Sequence, residues 1–276
     1  TRIDQAINSL NNEAGGFEDA DLIYGGDIEK WMKFGNTLKL KLGMTLADVD
    51  PATAARVASE AAPNVFESNA DNATLQYLET PPNTNPIWVD LVQSGRRDYV
   101  AANTIVDVMQ ELDDPRISAY FTTVTVDDEP VYVGGIYGRS NNFSRFSKPD
   151  EAITSPTFEG ILMDYAETEF FLAEAAARGF ITGSPAEHYR AGVTASMEYW
   201  DVPEAEIAAY FTEPEIVADL AALAVSSGTI TERQKQAIGT QKWLALYNRG
   251  HEAWTEWRRL DYPRLQPASP AVLANI

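Results

Sequence analysis

Of 276 residues, 45% are hydrophobic and 11% aromatic, enough to build a sizeable core in one large domain or two ordinary ones, and too apolar for a disordered chain. Acidic residues outnumber basic ones 41 to 21, and the net charge of −20 repels nucleic acid and anionic lipid while favouring neutral or cationic ligands. Cysteine is absent, which excludes disulfides, thiolate nucleophiles and cysteine-ligated metal, and no apolar stretch approaches the roughly 20 residues of a membrane-spanning helix.

Residue 1 is Thr, and the segment 1–17 has neither the basic start nor the apolar centre of a signal peptide. Any export signal is expected in a part that precedes this sequence. Asp27 is placed to cap the first clear helix, with Glu29 near its positive end. Trp31, Phe34, Leu38, Leu42 and Leu46 then recur at helical spacing and form the expected core stripe. Asp50-Pro51 opens a second helix, with Pro at the first helical position, and that helix should end before Pro63. Asn, Ser and Pro dominate 63–86, which reads as loop. Short helices are predicted over 87–92 and 103–112, the second broken by Asp113-Asp114-Pro115-Arg116. Val124-Thr125-Val126 and Val131-Tyr132-Val133 predict two strands around a polar turn. An irregular stretch rich in Gly, Ser and Asn follows over 134–156, and loops of that length in compact domains often carry function.

Beyond residue 164 the pattern is helical. Segments 164–178 and 185–200 form a predicted helix hairpin. Further helices are expected over 214–225, over 231–248 with Thr231 and Gln234 at capping-box spacing, and over 251–260. Pro263, Pro267 and Pro270 mark an extended tail. Antiparallel helices joined by short turns suggest a tetratricopeptide-like helical-repeat scaffold with long irregular loops and one short β-hairpin, although no clean repeat consensus is present.

Four stretches resemble the SusD/RagB family, in particular its SusD-like lipoprotein branch. The first is Asp21-Leu22-Ile23-Tyr24-Gly25-Gly26-Asp27 with Trp31, Asn36, Leu38 and Leu40. The second is Asp114-Pro115-Arg116 with Tyr120-Phe121. The third is Ala166-Glu167 with Ala173-Glu174-Ala175, Gly179 and Tyr189. The fourth is the run 238–247 with Ala253, Trp254, Trp257, Arg258, Arg259, Tyr262 and Pro263. The resemblance implies a mostly α-helical, single SusD-like domain over 1–276 that lacks the N-terminal part of longer family members. It also implies a lipid-anchored protein on the outward face of the outer membrane of Bacteroidetes-type bacteria. Such a protein would bind oligosaccharide without catalysis and deliver it to a SusC-like TonB-dependent transporter. The alternative is a helical-repeat module that binds peptide or protein. No cofactor and no metal are expected, and the membrane would be reached only through an N-terminal lipid anchor.

Sugars are held by flat rings against their C–H faces and by amides, carboxylates or Arg on their hydroxyls. The candidate ligand residues are therefore Tyr137, Arg139, Asn141, Asn142 and Phe143, in a loop whose glycines allow close backbone approach. Trp88 and Tyr77, flanking the Pro- and Asn-rich segment, are the second candidates. The structural reading of the same residues is an ordered surface loop with its rings tucked inward, and a Trp88 that anchors a short helix. Trp31, Trp243, Trp254 and Trp257 sit in helical patterns and are assigned to the core.

A glycosidase needs two carboxylates about 5 Å or about 6.5–9.5 Å apart. Glu167 and Glu174 share a helical face about 10 Å apart along the axis and read better as a paired or solvated face. Arg258-Arg259 is read likewise, as a structural pair facing carboxylates. Asp127-Asp128-Glu129 lacks the ligand spacing of a calcium loop and reads as a solvated turn. His188 and His251 are too few for a histidine metal site or triad, and neither a Walker loop nor a nucleophile elbow is present.

Overall fold

Local chemistry sets the helix starts. Asp27 accepts from the backbone N–H of Lys30 and opens the helix Ile28–Thr45, and Asp50 accepts from that of Thr53 ahead of Pro51–Ala61. Thr231 and Gln234 form a reciprocal capping box on Glu232–Ala245. Each cap satisfies a donor that the helix leaves unpaired, worth about 1 kcal/mol.

The computed structural model describes residues 2–10, 16–226 and 228–268. They are mostly helical, with two short two-stranded sheets. In chain order the helices are α1 (Arg2–Ser9), α2 (Ile28–Thr45), α3 (Pro51–Ala61), α4 (Pro86–Trp88), α5 (Asn103–Glu111), α6 (Ile117–Tyr120), α7 (Tyr165–Ala177), α8 (Pro185–Tyr199), α9 (Glu204–Tyr210), α10 (Pro214–Leu223), α11 (Glu232–Ala245) and α12 (Gly250–Leu260). The strands are β1 (Ala73–Leu75), β2 (Val124–Val126), β3 (Glu129–Val131) and β4 (Gly160–Met163). Two compact units result: residues 1–75, 161–196 and 217–263, and residues 76–160, 197–216 and 264–276. Pro270 of the predicted tail lies outside the described residues.

In the first unit, Leu40 and Met44 of α2, with Ala47 in the turn that follows it, pack on Ala54, Ala58 and Ala61 of α3 and on Phe171, Leu172 and Ala175 of α7. Burial of Leu40 or Met44 contributes about 1.5–3 kcal/mol each. The alanines bring the helices close: a Cβ on Gly43 would stand 2.6 Å from Val57. The predicted α2 stripe is corrected accordingly. Its N-terminal half is right, since Phe34 and Leu38 pack on Phe66, Ala73 and Met163, but Leu42 is 53% exposed and Leu46 is also exposed. The core face there is Leu40, Gly43 and Met44, because α3 and α7 decide which side is covered.

Asp21 explains the first motif. Its carboxylate accepts from the backbone N–H groups of Ile23, Tyr24 and Gly26 and from the Trp31 indole N–H at 2.6 Å. Burial pushes this carboxyl up, but the Trp31 and backbone donors outweigh it and hold the pKa low. Gly26 sits at φ +87°, where a Cβ would also meet the Glu18 backbone.

Helix α7 is buried on nearly every side, so its acidic residues need partners. Arg249 bonds Glu167 at 2.6 Å and Asp164 at 3.0 Å. Arg259 bonds Glu174 at 2.6 Å, and Arg178 bonds it at 2.8 Å. Both candidate carboxylates are thus locked into ion pairs. Across the α7–α8 hairpin, His188 lies 2.7 Å from Glu169, and the Phe170 and Tyr189 rings meet edge to face. On α12, Trp254 is 56% exposed rather than in the core. Of the Arg258-Arg259 pair, Arg259 faces Glu174 and Glu256 as expected, whereas Arg258 lies over the Trp254 ring at 4.9 Å.

In the second unit, Asp114 and Arg116 form a fully buried pair, with the Tyr210 hydroxyl donating to Asp114 at 3.3 Å. Trp200 packs against Tyr120, Phe158 and Tyr199. The β2–β3 register pairs Val124 with Val131 and Val126 with Glu129. The turn is therefore only Asp127-Asp128, both at positive φ, a two-residue hairpin turn whose twist matches that of the strands. The strand predicted at 131–133 begins two residues earlier. Helix α4 covers only 86–88 and passes into a π-helical turn, Val89–Gln93, and α9 was not anticipated from the sequence.

Candidate ligand-binding site

The segment 134–149 is long but not loose, because its two ends are zipped to neighbours in the second unit. Gly135 N–H donates to the Ala101 carbonyl at 2.7 Å, and Asn103 N–H donates to the Gly135 carbonyl at 2.8 Å. On the other side, Ala101 N–H donates to the Ser147 carbonyl and Ser147 N–H to the Val133 carbonyl, both at 2.8 Å. The buried Ser147 hydroxyl accepts from Val133 N–H at 3.0 Å. Thr122 N–H to Lys148 at 2.9 Å and Asp150 N–H to Tyr120 at 3.0 Å complete the stem. Glycine is required where the strands cross: a Cβ on Gly134 would fall 2.3 Å from the Asn103 Cα, and one on Gly135 would fall 2.7 Å from Val100.

Above this stem, Asn141 closes the tip. Its side-chain carbonyl accepts from Ile136 N–H at 3.1 Å, and its amide donates to the carbonyls of Ile136 and Arg139, both at 3.0 Å. The Asn142 side-chain oxygen accepts from the backbone and hydroxyl of Ser144 and caps a single helical turn, Phe143–Arg145. Tyr137 is partly buried, and its hydroxyl donates to the Gln266 carbonyl. Phe143 is partly buried with the Lys148 ammonium 5.2 Å from its ring centre. Arg139, Ser140, Asn142, Ser144 and Arg145 are exposed.

Five of the sequence candidates, Tyr137, Arg139, Asn141, Asn142 and Phe143, thus share one pinned loop. Asn141 differs from the other four, because its side chain is engaged in holding the loop shut. Tyr77 and Trp88 belong to a different frame. Tyr77 is partly buried, its ring against Gly160, where a Cβ would come within 3.0 Å of the hydroxyl. Trp88, also partly buried, ends α4. The buried Asn85 ahead of α4 donates to the carbonyls of Ile153 at 2.8 Å and Ser155 at 2.9 Å.

Sequence reasoning missed two members. Tyr99 is 50% exposed and carries Arg96 over its ring at 4.5 Å, with Arg96 itself bound to Asp98 at 2.6–2.7 Å. It lies one residue from Val100, which touches the stem at Gly135. An Arg-Arg-Asp-Tyr run just after a Ser-Gly break was the available signal. Lys148 is the other, and nothing local shows that its ammonium returns over Phe143. Burial, with Asp150 beside it, raises the pKa of Tyr132 next to the stem and keeps that phenol protonated.

Such a surface offers ring faces and edges, hydroxyls and guanidinium donors on a rigid base, the elements of non-covalent sugar recognition. Among the described residues no group of three or more His, Asp or Glu side chains is placed to hold a metal ion. No described helix is long and apolar enough to cross a membrane.

A SusD-like family model, described as "Starch-binding associating with outer membrane", matches residues 1–276. No curated protein sequence matches the chain. Among solved structures, a SusD homolog from Bacteroides uniformis is similar at 30% identity and a TM-score of 0.82, covering 98% of this chain and 60% of that one. A chitin-binding SusD homolog from Flavobacterium johnsoniae is similar at 30% identity and a TM-score of 0.77, over 96% of this chain and 59% of that one. A further structure named as a chitin-binding protein matches at 29% identity and a TM-score of 0.82, again over 96% and 59%. The chain spans about three fifths of the length of these structures. With a family model over all 276 residues and the same helical fold in these relatives, the chain belongs to the SusD-like family.

Proposed function

We propose that this chain captures oligosaccharide without catalysis, on the loop 134–149 and the adjoining Tyr99. The observation that carries this reading is the pinned loop itself. It holds Tyr137 and Phe143 partly open beside the exposed Arg139 and Asn142, so ring faces and polar donors are fixed before a ligand arrives. Preorganisation of that kind lowers the ordering cost of binding. Family membership and the chitin-binding names of two relatives support the ligand class. The pairing of Glu167 and Glu174 with arginines favours capture over hydrolysis, since neither is free to act as general acid or nucleophile. Tyr77 and Trp88 form a second contact region in this reading. Residues 1–276 act as one SusD-like domain on the outward face of the outer membrane, lipid-anchored, and hand ligand to a SusC-like TonB-dependent transporter.

Titration calorimetry against length-matched chitin, starch-type and acidic oligosaccharides, with mixed peptides as a control, tests the reading. Saturable binding of a saccharide, weakened by Tyr137→Ala or Phe143→Ala with the helical signal unchanged, is the expected result. Binding of peptides alone would replace it with the peptide-binding alternative.

A further inference from the structure

Acidic residues outnumber basic ones about two to one over the chain, 41 to 21. The loop 134–149 inverts that balance, holding Arg139, Arg145 and Lys148 and no Asp or Glu. Arg139 and Arg145 are exposed, and among the described residues neither guanidinium is drawn into an ion pair. Several arginines elsewhere are consumed by carboxylates: Arg249 by Asp164 and Glu167, Arg259 by Glu174 and Glu256, Arg116 by Asp114, Arg96 by Asp98. The nearest acid in sequence, Asp150, accepts from Ala152 N–H at 3.0 Å and sits beside Tyr132. Lys148 is placed differently from the two arginines. Its ammonium donates to the Phe146 carbonyl at 2.9 Å and covers the Phe143 ring, which makes that end of the ring platform positive.

From this juxtaposition, and resting on the capture reading above, we propose that the loop selects oligosaccharides that carry carboxylate or sulfate groups. The ring of Tyr137 takes a sugar face, and Arg139 and Arg145 take the anionic substituents. A guanidinium meets a carboxylate or sulfate with two parallel N–H donors, a geometry that discriminates more strongly than a bond to a hydroxyl. The net charge of −20 opposes the approach of such a ligand at long range. At physiological ionic strength, however, charges beyond about 8 Å are largely screened, so a docked anion responds mainly to nearby groups, the loop's three cations set against Asp150 and Glu151 just past its end. A neutral sugar needs no such excess of positive charge.

The test compares three length-matched ligand sets, neutral chitin-type, uronate-containing and sulfated, by calorimetry at about 20 mM and about 300 mM salt. The protein is wild type, Arg139→Gln/Arg145→Gln, or Tyr137→Ala. The expected result is that an acidic set binds more tightly than the neutral one. That binding should fall about tenfold in the double arginine variant and several-fold at the higher salt, as expected for exposed charge pairs. The uronate and sulfate arms then show which anion is preferred. Equal or tighter binding of the neutral set, unchanged in the double variant but lost in Tyr137→Ala, would overturn selection for anions and leave capture standing. Failure of wild type to bind any of the three sets would overturn both. Because both arginines are exposed, an unchanged thermal melt is the control that their replacement acts on the ligand and not on the fold.

Discussion

Arg249 reaches from the residue before α12 to the first turn of α7, where its guanidinium meets Glu167 at 2.6 Å. The same group bonds Asp164, the cap of α7, at 3.0 Å, and Lys41 of α2 approaches Glu167 from the other side at 3.0 Å. One buried cation therefore ties the C-terminal signature to the helix hairpin, two of the four stretches by which the family is recognised. Burial raises the cost of charge on Glu167, and Arg249, Lys41 and Lys242 outweigh it and keep the carboxyl below its ordinary pKa.

Removal of Arg249 leaves two buried carboxylates whose remaining cations are Lys41 and the more distant Lys242. Arg249→Met is expected to lower unfolding stability by about 3–5 kcal/mol, the usual cost of an uncompensated buried charge. Urea titration checks this. A loss under about 1 kcal/mol would mean that solvent or Lys41 takes over the pairing.

A second buried pair predicts acid sensitivity. Burial disfavours the Glu256 carboxylate, but Lys242 at 2.8 Å and Arg259 at 2.6 Å prevail and hold its pKa at about 2. A carboxyl depressed in the folded state stabilises the protein above its unfolded pKa and loses that contribution as pH falls through the folded value. For Glu256 the window runs from 4.5 down to about 2. The contribution lost is on the order of 3 kcal/mol. In Glu256→Gln that part of the slope should vanish: the variant is less stable than wild type at pH 6, and the two converge toward pH 2. Urea midpoints measured across this range decide it, and parallel curves would show that Glu256 does not titrate as described.

Much of this scaffold is legible residue by residue because its signals are local. Asp27, Asp50 and the Thr231–Gln234 box act within four residues of themselves, and the structure uses all three as caps. What was illegible depends on distant partners. The spacing of Leu38, Leu42 and Leu46 cannot reveal that α3 and α7 cover the Leu40–Met44 side instead. Trp254 looks like core until α12 is seen to bury Ala253, Glu256 and Leu260. The loop 134–149 stands out by its glycines and amides, but the closure of its tip by Asn141 and the return of Lys148 over Phe143 are tertiary events.

Asn141 makes a sharp test of the loop's rigidity. Asn141→Asp preserves the acceptor for Ile136 N–H and removes both donors to the Ile136 and Arg139 carbonyls. As the loop is at the surface, global stability should fall by only about 1 kcal/mol, while ligand binding weakens more than that loss accounts for. Calorimetric binding beside a thermal melt separates the two, and equal losses would indicate that the clamp serves folding alone.

The stem can be broken without touching any ligand contact. A methyl at Gly134 would lie 2.3 Å from Asn103 Cα and 2.6 Å from its nitrogen, and backbone there cannot give way as a side chain can. Gly134→Ala is expected to destabilise by about 1–3 kcal/mol, as overpacking does. Amide exchange at Asn103 and Gly135 should quicken first, since those two N–H groups make the stem bonds. Unchanged protection there would refute the zipped-stem description.

Tyr137 separates ring from hydroxyl. Its O–H is bonded to the Gln266 carbonyl at an exposed position, where a neutral bond contributes about 1 kcal/mol or less. If recognition rests on the ring, Tyr137→Phe keeps ligand affinity within about threefold, while Tyr137→Ala removes the buried apolar face and costs about 1–2 kcal/mol, roughly tenfold or more. Calorimetry on both variants against the best-binding saccharide gives the ratio. Equal losses in Phe and Ala would mean that the tie to Gln266 positions the site and that the ring itself carries little of the binding.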